Sequence, residues 1–251
     1  MIVQFFIIDQ ENMLKFHLTV WNQQNQDIRQ LMRYIVRGMQ EKDIPQALEI
    51  DHEAFPTQWP RPSYTSFKQE LRNRLACYIV IAKPMENEIT AQSSESKGFF
   101  HKLRHLFDQE GFFGEDMTPQ SKEYIAGIAG FWIMVDEAHI TTLATRNSCR
   151  RQGIGERLLV QIIKMAAQLN ADVVTLEARV SNKQAQALYE KYGFQKVGVR
   201  RAYYTDNGED AVIMTTDSLT SNDFQSQFQR LKQAHQHRWG ALYENELSKV
   251  A

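Results

Sequence analysis

The stretch RRQGIGERLLVQIIKMAAQL, residues 150–169, sets two arginines and two glycines directly before a run with helical patterning. Leu158, Leu159, Ile162, Ile163, Ala166 and Leu169 recur at the three-and-four spacing that buries one face of a helix, so Gly153 and Gly155 fall on its entry turn. The first turn of a helix presents unpaired N–H groups and a partial positive charge, and glycine lets a large anion approach that backbone closely. Two glycines can equally do no more than make a tight turn, so the surrounding chain has to decide. A nucleotide-binding loop would need Lys followed by Ser or Thr after its last glycine, and Glu156 and Arg157 stand there instead. A dinucleotide fingerprint would need a small residue at 158, which is leucine.

Which partners such a turn could serve is bounded by composition. The chain has 251 residues, 43% of them hydrophobic, enough for one large domain or an average one with additions. Its 29 basic and 30 acidic residues leave a net charge of −1, so there is no global electrostatic case for a nucleic acid or a membrane surface, and no direct nucleic-acid binding is expected. The opening MIVQFFIIDQENMLKFHLTVW is apolar but carries Asp9 and Glu11 and lacks both a basic leader and a cleavage pattern, so a secretory signal is not expected. No run approaches a membrane span in length. Cys77 and Cys149 lie far apart and outside any CxxC pattern, which points to a reducing cytoplasm. His101 and His105 share helical i, i+4 spacing but lack a third ligand, so no metal site is expected.

Along the chain, residues 33–36 read as a first strand and 43–55 as a helix with Asp43 as N-cap and Pro45 in its first turn. Prolines 56, 60 and 62 mark a shaped loop before a helix over 64–75, and CYIVIA reads as a strand. Residues 84–122 shift to Gln, Ser, Glu and Gly and form a candidate insertion. Within it Phe99, Phe100, Leu103, Leu106 and Phe107 would share one helical face, expected to pack on the chain's own domain as a partial lid. Residues 124–135 and 138–144 read as strands joined by a turn at Asp136 and Glu137. A strand over 171–180 and a short helix capped by Ser181 or Asn182 and closed by Gly193 follow. Asp-Asn-Gly at 206–208 joins two β-rich runs as a hairpin, and the tail after Ser218 carries Phe224, Phe228 and Leu231 on one stripe, as a packing or partner helix would.

The order strand, RRQGIG turn, long helix, LEARVSN, ALYEKYGF and RRAYYTDNGEDAVIM resembles the GNAT acetyltransferases, and within them the ribosomal-protein-alanine N-acetyltransferase group. The resemblance covers roughly residues 32–217, leaving 1–31 as an N-terminal extension, 84–122 as an insertion and 218–251 as a C-terminal helical tail. It implies an α/β fold of the α+β kind, the GNAT fold: a mixed, splayed central sheet with helices on both faces. It implies acetyl-CoA as cosubstrate, with Leu143, Ala144 and Thr145 flanking the acetyl-pantetheine arm. Arg151, Gln152, Gly153, Ile154, Gly155 and Glu156 would then form the pyrophosphate loop, with Asn182 contacting coenzyme A. Glu177 and Tyr189 match the family's catalytic pair. The chemistry agrees, because an α-amine with a pKa of about 7.7–8.0 must lose a proton before it attacks a thioester, and the departing thiolate gains from a nearby acid. No histidine neighbours Cys149 in the motif, and direct attack by an amine needs no covalent relay.

In this group the acceptor peptide enters between the loop after the first helix and the final hairpin, which here would make Phe55, Trp59, Tyr203 and Tyr204 an aromatic slot. The resemblance therefore implies a protein N-terminus as acceptor, in particular the N-terminal alanine of a small-subunit ribosomal protein. Acetylation of a lysine side chain or a small-molecule amine, and a non-catalytic coenzyme A-binding partner module, remain the alternatives.

Overall fold

The computed structural model describes residues 33–57, 60–84 and 123–243. Within them the strands are β1 (Ile35–Gly38), β2 (Ala76–Pro84), β3 (Glu123–Met134), β4 (Glu137–Thr145), β5 (Val173–Arg179), β6 (Phe194–Tyr204) and β7 (Glu209–Thr216). The helices are α1 (Ile44–Ala54), α2 (Tyr64–Arg72), α3 (Ile154–Gln168), α4 (Lys183–Lys191) and α5 (Asn222–Trp239). The extension over 1–31, Trp59, the amphipathic segment around Phe99–Phe107 and the last eight residues lie outside the described residues.

All described strands join one sheet in the order β1-β2-β3-β4-β5-β7-β6. Only β4 and β5 run parallel, and every other neighbouring pair is antiparallel. Alternation along the central strands sends side chains to two apolar layers. Val80, Ala82, Ile125, Ile128 and Ala144 meet Ile44, Ala47 and Ile50 of α1 and Phe67 of α2. Ile79, Ile81, Ala129 and Phe131 face the other way, toward Leu158, Leu159, Ile162 and Ile163 of α3. The expected mixed sheet with helices on both faces is what the chain forms.

Phe224 and Phe228 of α5 are buried in that second layer with Leu231 packed beside them, so the tail's apolar stripe is covered by the chain's own core. Burying each such ring contributes about 1.5–3 kcal/mol, which holds α5 to the domain.

Three local expectations shift. The first strand lies two residues later than 33–36, because its register is set by pairing Ile35 through Gly38 with Ala82 through Ile79 of β2. Asp43 stands at the start of α1 but does not cap it. Its fully buried carboxylate takes Arg37 at 2.6 and 2.9 Å and the Gln40 amide at 2.8 Å, so it is spent on the residues just before the helix rather than on the helix end. The β3–β4 turn is Val135–Asp136 rather than Asp136–Glu137. Val135 adopts φ +56 with its side chain in solvent, and the Asp136 carbonyl accepts the Asp172 and Val173 amides, tying the turn to the start of β5.

Candidate active site

Parallel pairing of β4 with β5 starts at Glu137–Val173 and stops at Ile140–Leu176. On its other edge β4 is irregular at the same level: Gly130 pairs with Thr142 and Phe131 with Ile140, so Thr141 is an extra residue in the ladder. A bulge bends the strand that carries it. Beyond it, among the described residues, Leu143, Ala144 and Thr145 pair only with β3, and the β5-facing edge of this stretch takes no strand partner. A fork therefore opens between the two central strands.

The RRQGIG turn adjoins the end of this stretch, with Gly155 next to Thr145. Arg151 and Gly153 both take left-handed backbone conformations, φ +61 and +75, and α3 begins at Ile154. A non-glycine residue in that region costs about 1–2 kcal/mol, so Arg151 keeps it only because the surroundings enforce it. Gly153 is the helix N-cap and supplies no side chain to the first amides of α3. A side-chain carbon built at Gly155 would meet only Thr145 Oγ1, at 3.5 Å, so the space in front of that residue is open. A carbon at Gly153 would instead lie 2.6 Å from the Trp239 ring. The two glycines thus do different work: one faces open space, the other a helix.

Other members of the expected loop are engaged sideways. Gln152 donates from Nε2 to the Ser148 carbonyl at 3.2 Å, and Ile154 is buried in the core. Burial alone would raise the Glu156 carboxyl, but hydrogen bonds from Lys191 and Tyr192, the latter at 2.7 Å, hold it below the usual carboxylate range. Its side chain is thereby committed to the end of α4. Asn182 proves to be the cap of that helix, its Oδ1 accepting the Ala185 amide at 3.1 Å.

Glu177 is the first residue of β5 beyond the last β4 pair, and its side chain is only 7% exposed. Its Oε2 lies 2.9 Å from His139 Nε2 and its Oε1 3.0 Å from Arg200 Nε. Tyr189, on α4, is buried with its ring 5.7 Å from Phe194. Burial pushes its phenol well above its ordinary value, with Tyr204 adding to the shift. Tyr204 is raised to about 12, by burial first, and feels the Glu177 charge as well. The two expected catalytic side chains thus share Tyr204 as an electrostatic neighbour.

A sequence pattern described as the acetyltransferase (GNAT) family matches residues 83–194. A Bacillus subtilis protein provisionally named as a ribosomal protein bS18-alanine N-acetyltransferase is 34% identical over 179 residues, 71% of this chain and 92% of that protein. The chain belongs to the GNAT acetyltransferase family. An N-alpha-acetyltransferase of Sulfurisphaera tokodaii is 29% identical over 182 residues, 72% of this chain and 91% of its own length. Among solved structures, the ribosomal-protein-S18-alanine N-acetyltransferase of Escherichia coli superimposes with a TM-score of 0.52 at 22% identity, covering 76% of this chain and 97% of that one. At that identity the superposition speaks for the fold alone.

GNAT acetyltransferases use acetyl-CoA. The residues of the RRQGIG turn fit such a ligand, because an uncapped helix start, an open face at Gly155 and two exposed arginines, Arg150 and Arg151, suit a pyrophosphate. Among the described residues no group of three or more His, Cys, Asp or Glu side chains could hold a metal, and no helix is long and apolar enough to cross a membrane. Cys149 is buried, with its sulfur 3.5 Å from the Tyr124 hydroxyl.

The two sides of the expected acceptor slot meet. Asp206 of the hairpin accepts a hydrogen bond from Thr57 in the loop after α1, which together with Arg179 holds its carboxyl below the usual range. Phe55 is half-buried against the α1–α2 layer, while Tyr203 is 44% exposed with its ring 5.3 Å from Tyr204. The Arg179 guanidinium lies 3.9 Å over the Tyr204 ring and pairs with Asp206 and Glu209. Sequence reasoning overlooked His139, Arg200 and the Thr57–Asp206 contact. Strand alternation could have put His139 on a definite face, but only the β4–β5 adjacency brings it to Glu177.

Proposed function

We propose that this acetyltransferase modifies the N-terminal α-amine of a protein, in particular the N-terminal alanine of a small-subunit ribosomal protein, in the cytoplasm. One observation carries the reading: the nearly buried Glu177 carboxylate stands one residue past the end of β4–β5 pairing, where the edge of β4 becomes unpaired. The names of the relatives support the choice of amine, since two of them denote α-amine or ribosomal-alanine acetylation.

In this reading the backbone of residues 151–156 holds the pyrophosphate, Leu143, Ala144 and Thr145 flank the pantetheine arm with their free strand edge, and Asn182 adds a contact from the start of α4. When bound, acetyl-CoA supplies an activated thioester. Glu177 takes the proton of the acceptor ammonium, directly or through a water, and releases the lone pair of the amine for attack. His139 fixes the carboxylate from behind, and Arg200 occupies the position where a substrate cation would approach Oε1. The Tyr189 phenol, protonated at neutral pH as an ordinary phenol is and held more firmly so by burial, serves as the acid partner of the leaving sulfur by donating its O–H to it. A thiol ordinarily ionises near about 8.5, well below this phenol, so a hydrogen bond to the developing thiolate is the main contribution of Tyr189. Phe55, Trp59, Tyr203 and Tyr204 line the slot for an extended N-terminus.

Turnover of acetyl-CoA against a panel of peptides differing in their first residue, beside a lysine peptide with a blocked N-terminus, tests the assignment. Preference for an alanine start is expected. Faster acetylation of the blocked lysine peptide would overturn it.

A further inference from the structure

The RRQGIG turn is gripped from outside the catalytic sheet by α5. His235 is buried, and its Nε2 lies 3.0 Å from the Gly153 carbonyl oxygen. A carbonyl can only accept, so the ring nitrogen donates and the Nε2–H form is the one present. The same oxygen takes the Arg157 amide at 2.9 Å as the first bond of α3. Because a peptide unit is planar and trans, fixing the Gly153 carbonyl on the α5 side turns the Ile154 N–H to the opposite side, at the open start of α3. Trp239, one helical turn beyond His235, fills the space where Gly153 would carry a side chain, and Arg238 stacks over its indole at 4.9 Å. Tyr243 follows, with its ring 5.9 Å from His235 and 5.4 Å from the Arg157 guanidinium. Tyr243 in turn bridges to Tyr34 beside β1, and the Tyr34 amide donates to Leu242 at 2.7 Å. Gln227 adds a bond to the Lys191 carbonyl at 3.3 Å, next to the side chain that holds Glu156.

We propose that His235 and Trp239 are positioning residues for the coenzyme turn: α5 holds Gly153 and the strained Arg151 in the backbone conformation that aims the first amides of α3 at the pyrophosphate. This inference rests on the assignment of that turn to acetyl-CoA. It adds that affinity for the coenzyme is set in part by a C-terminal helix that touches neither the thioester nor the acceptor. Coupling of this kind is reciprocal, so a coenzyme bound at the turn must also stabilise α5.

Isothermal titration of the full chain with acetyl-CoA, run beside steady-state kinetics, tests it. His235→Leu keeps bulk but loses the donor, Trp239→Ala empties the space at Gly153, and His235→Gln restores a donor. The first two are expected to weaken acetyl-CoA binding and raise its KM about three- to tenfold, the scale of one lost hydrogen bond, with kcat at saturation and peptide KM changing far less. His235→Gln should recover most of the loss. Gly155→Val serves as the control for the site itself. If it abolishes binding while folded His235→Leu and Trp239→Ala bind as the parent does, the role of α5 is packing alone and the proposal fails, though the site stands. If Gly155→Val binds normally, the site assignment fails first. Should the α5 variants not fold, hydrogen exchange on the unaltered chain decides: added acetyl-CoA is expected to slow exchange over residues 232–239, and unchanged rates there would overturn the proposal.

Discussion

The two sides of the fork are built differently. On the proposed coenzyme side the polar groups are mainly backbone amides, on α3, whose Ile154, Leu158 and Leu159 are buried, and on β4 where it leaves β5, with the exposed Arg150 and Arg151 beside them. On the acceptor side the polar groups are side chains on a loop and a hairpin: Arg200 is 54% exposed at its side chain, Arg201 86%, and ion pairs to Asp206, Glu209 and Asp210 hold the segment together. The contrast teaches where variation can occur. In the proposed assignment a ligand common to a whole family is met mainly by backbone on rigid elements, and the ligand that differs between members by side chains on a loop and a hairpin.

The largest effect that would break or sharpen this contrast is expected at Gly155. Valine there faces open space in the folded chain, so Gly155→Val should leave the melting temperature near that of the parent and reduce acetyl-CoA affinity more than about 100-fold by blocking the approach to backbone. Calorimetry showing intact binding in a folded variant would remove the backbone cradle.

Next in size is Glu177→Gln, which should lower kcat by about 100-fold, within the usual range for losing a general base, while acetyl-CoA affinity stays put. Single-turnover rates separate the two. A variant that lost coenzyme affinity instead would place Glu177 on the wrong side of the comparison.

The helix that leads into the proposed acceptor loop also holds a buried carboxyl, Asp51 of α1, pushed up to about 6 by burial against the opposing pull of Arg61 and His52. For a carboxyl raised in the folded state, the native chain binds the proton more tightly, so its protonated form favours folding fully below the unfolded value of 3.8 and that contribution is lost as pH rises through about 6. Asp51→Asn is therefore expected to be more stable than the parent at pH 7.5, on the order of 1–3 kcal/mol, with the difference closing toward pH 4. Urea titrations at the two pH values check this, and an equal difference at both would show that Asp51 is not the titrating group.

The smallest effect is expected from Asp206→Ala, which removes the Thr57 contact and one partner of Arg179. The contact is part-buried but Arg179 keeps Glu209 as a second partner, so peptide KM should rise about two- to fivefold with the KM for acetyl-CoA unchanged. A change in the coenzyme parameter instead would mean that the two sides are mechanically joined.

Much of the fold over residues 124–193 was legible because its signals are local. Apolar periodicity marks α3, glycines mark its entry, and an Asx residue with a glycine twelve positions or fewer away brackets α4, where Asn182 caps and Gly193 closes with φ +86. The hairpin at 206–208 was equally plain from its Asn-Gly turn, with Gly208 at φ +70. Where another partner competed, local reading held only in part: Asp43 stands at the N-cap of α1 but spends its carboxylate on Arg37 and the Gln40 amide, and Val135 takes the turn position beside its polar neighbours.

By itself the sequence determined the kind of fold and the family, and it supplied the proposals for the coenzyme turn and for Glu177 as base, since each rests on a motif read within a few residues. Tertiary structure alone decided that β4 leaves β5 at the Thr141 bulge, that His139 and Arg200 converge on Glu177, that the acceptor loop and the hairpin touch at Thr57 and Asp206, and that His235 reaches Gly153 from 82 residues away. The physical reason is that strand order and helix docking are chosen by burial over the whole chain. Which side chains then face one another is a consequence of that global choice, and no local pattern carries it.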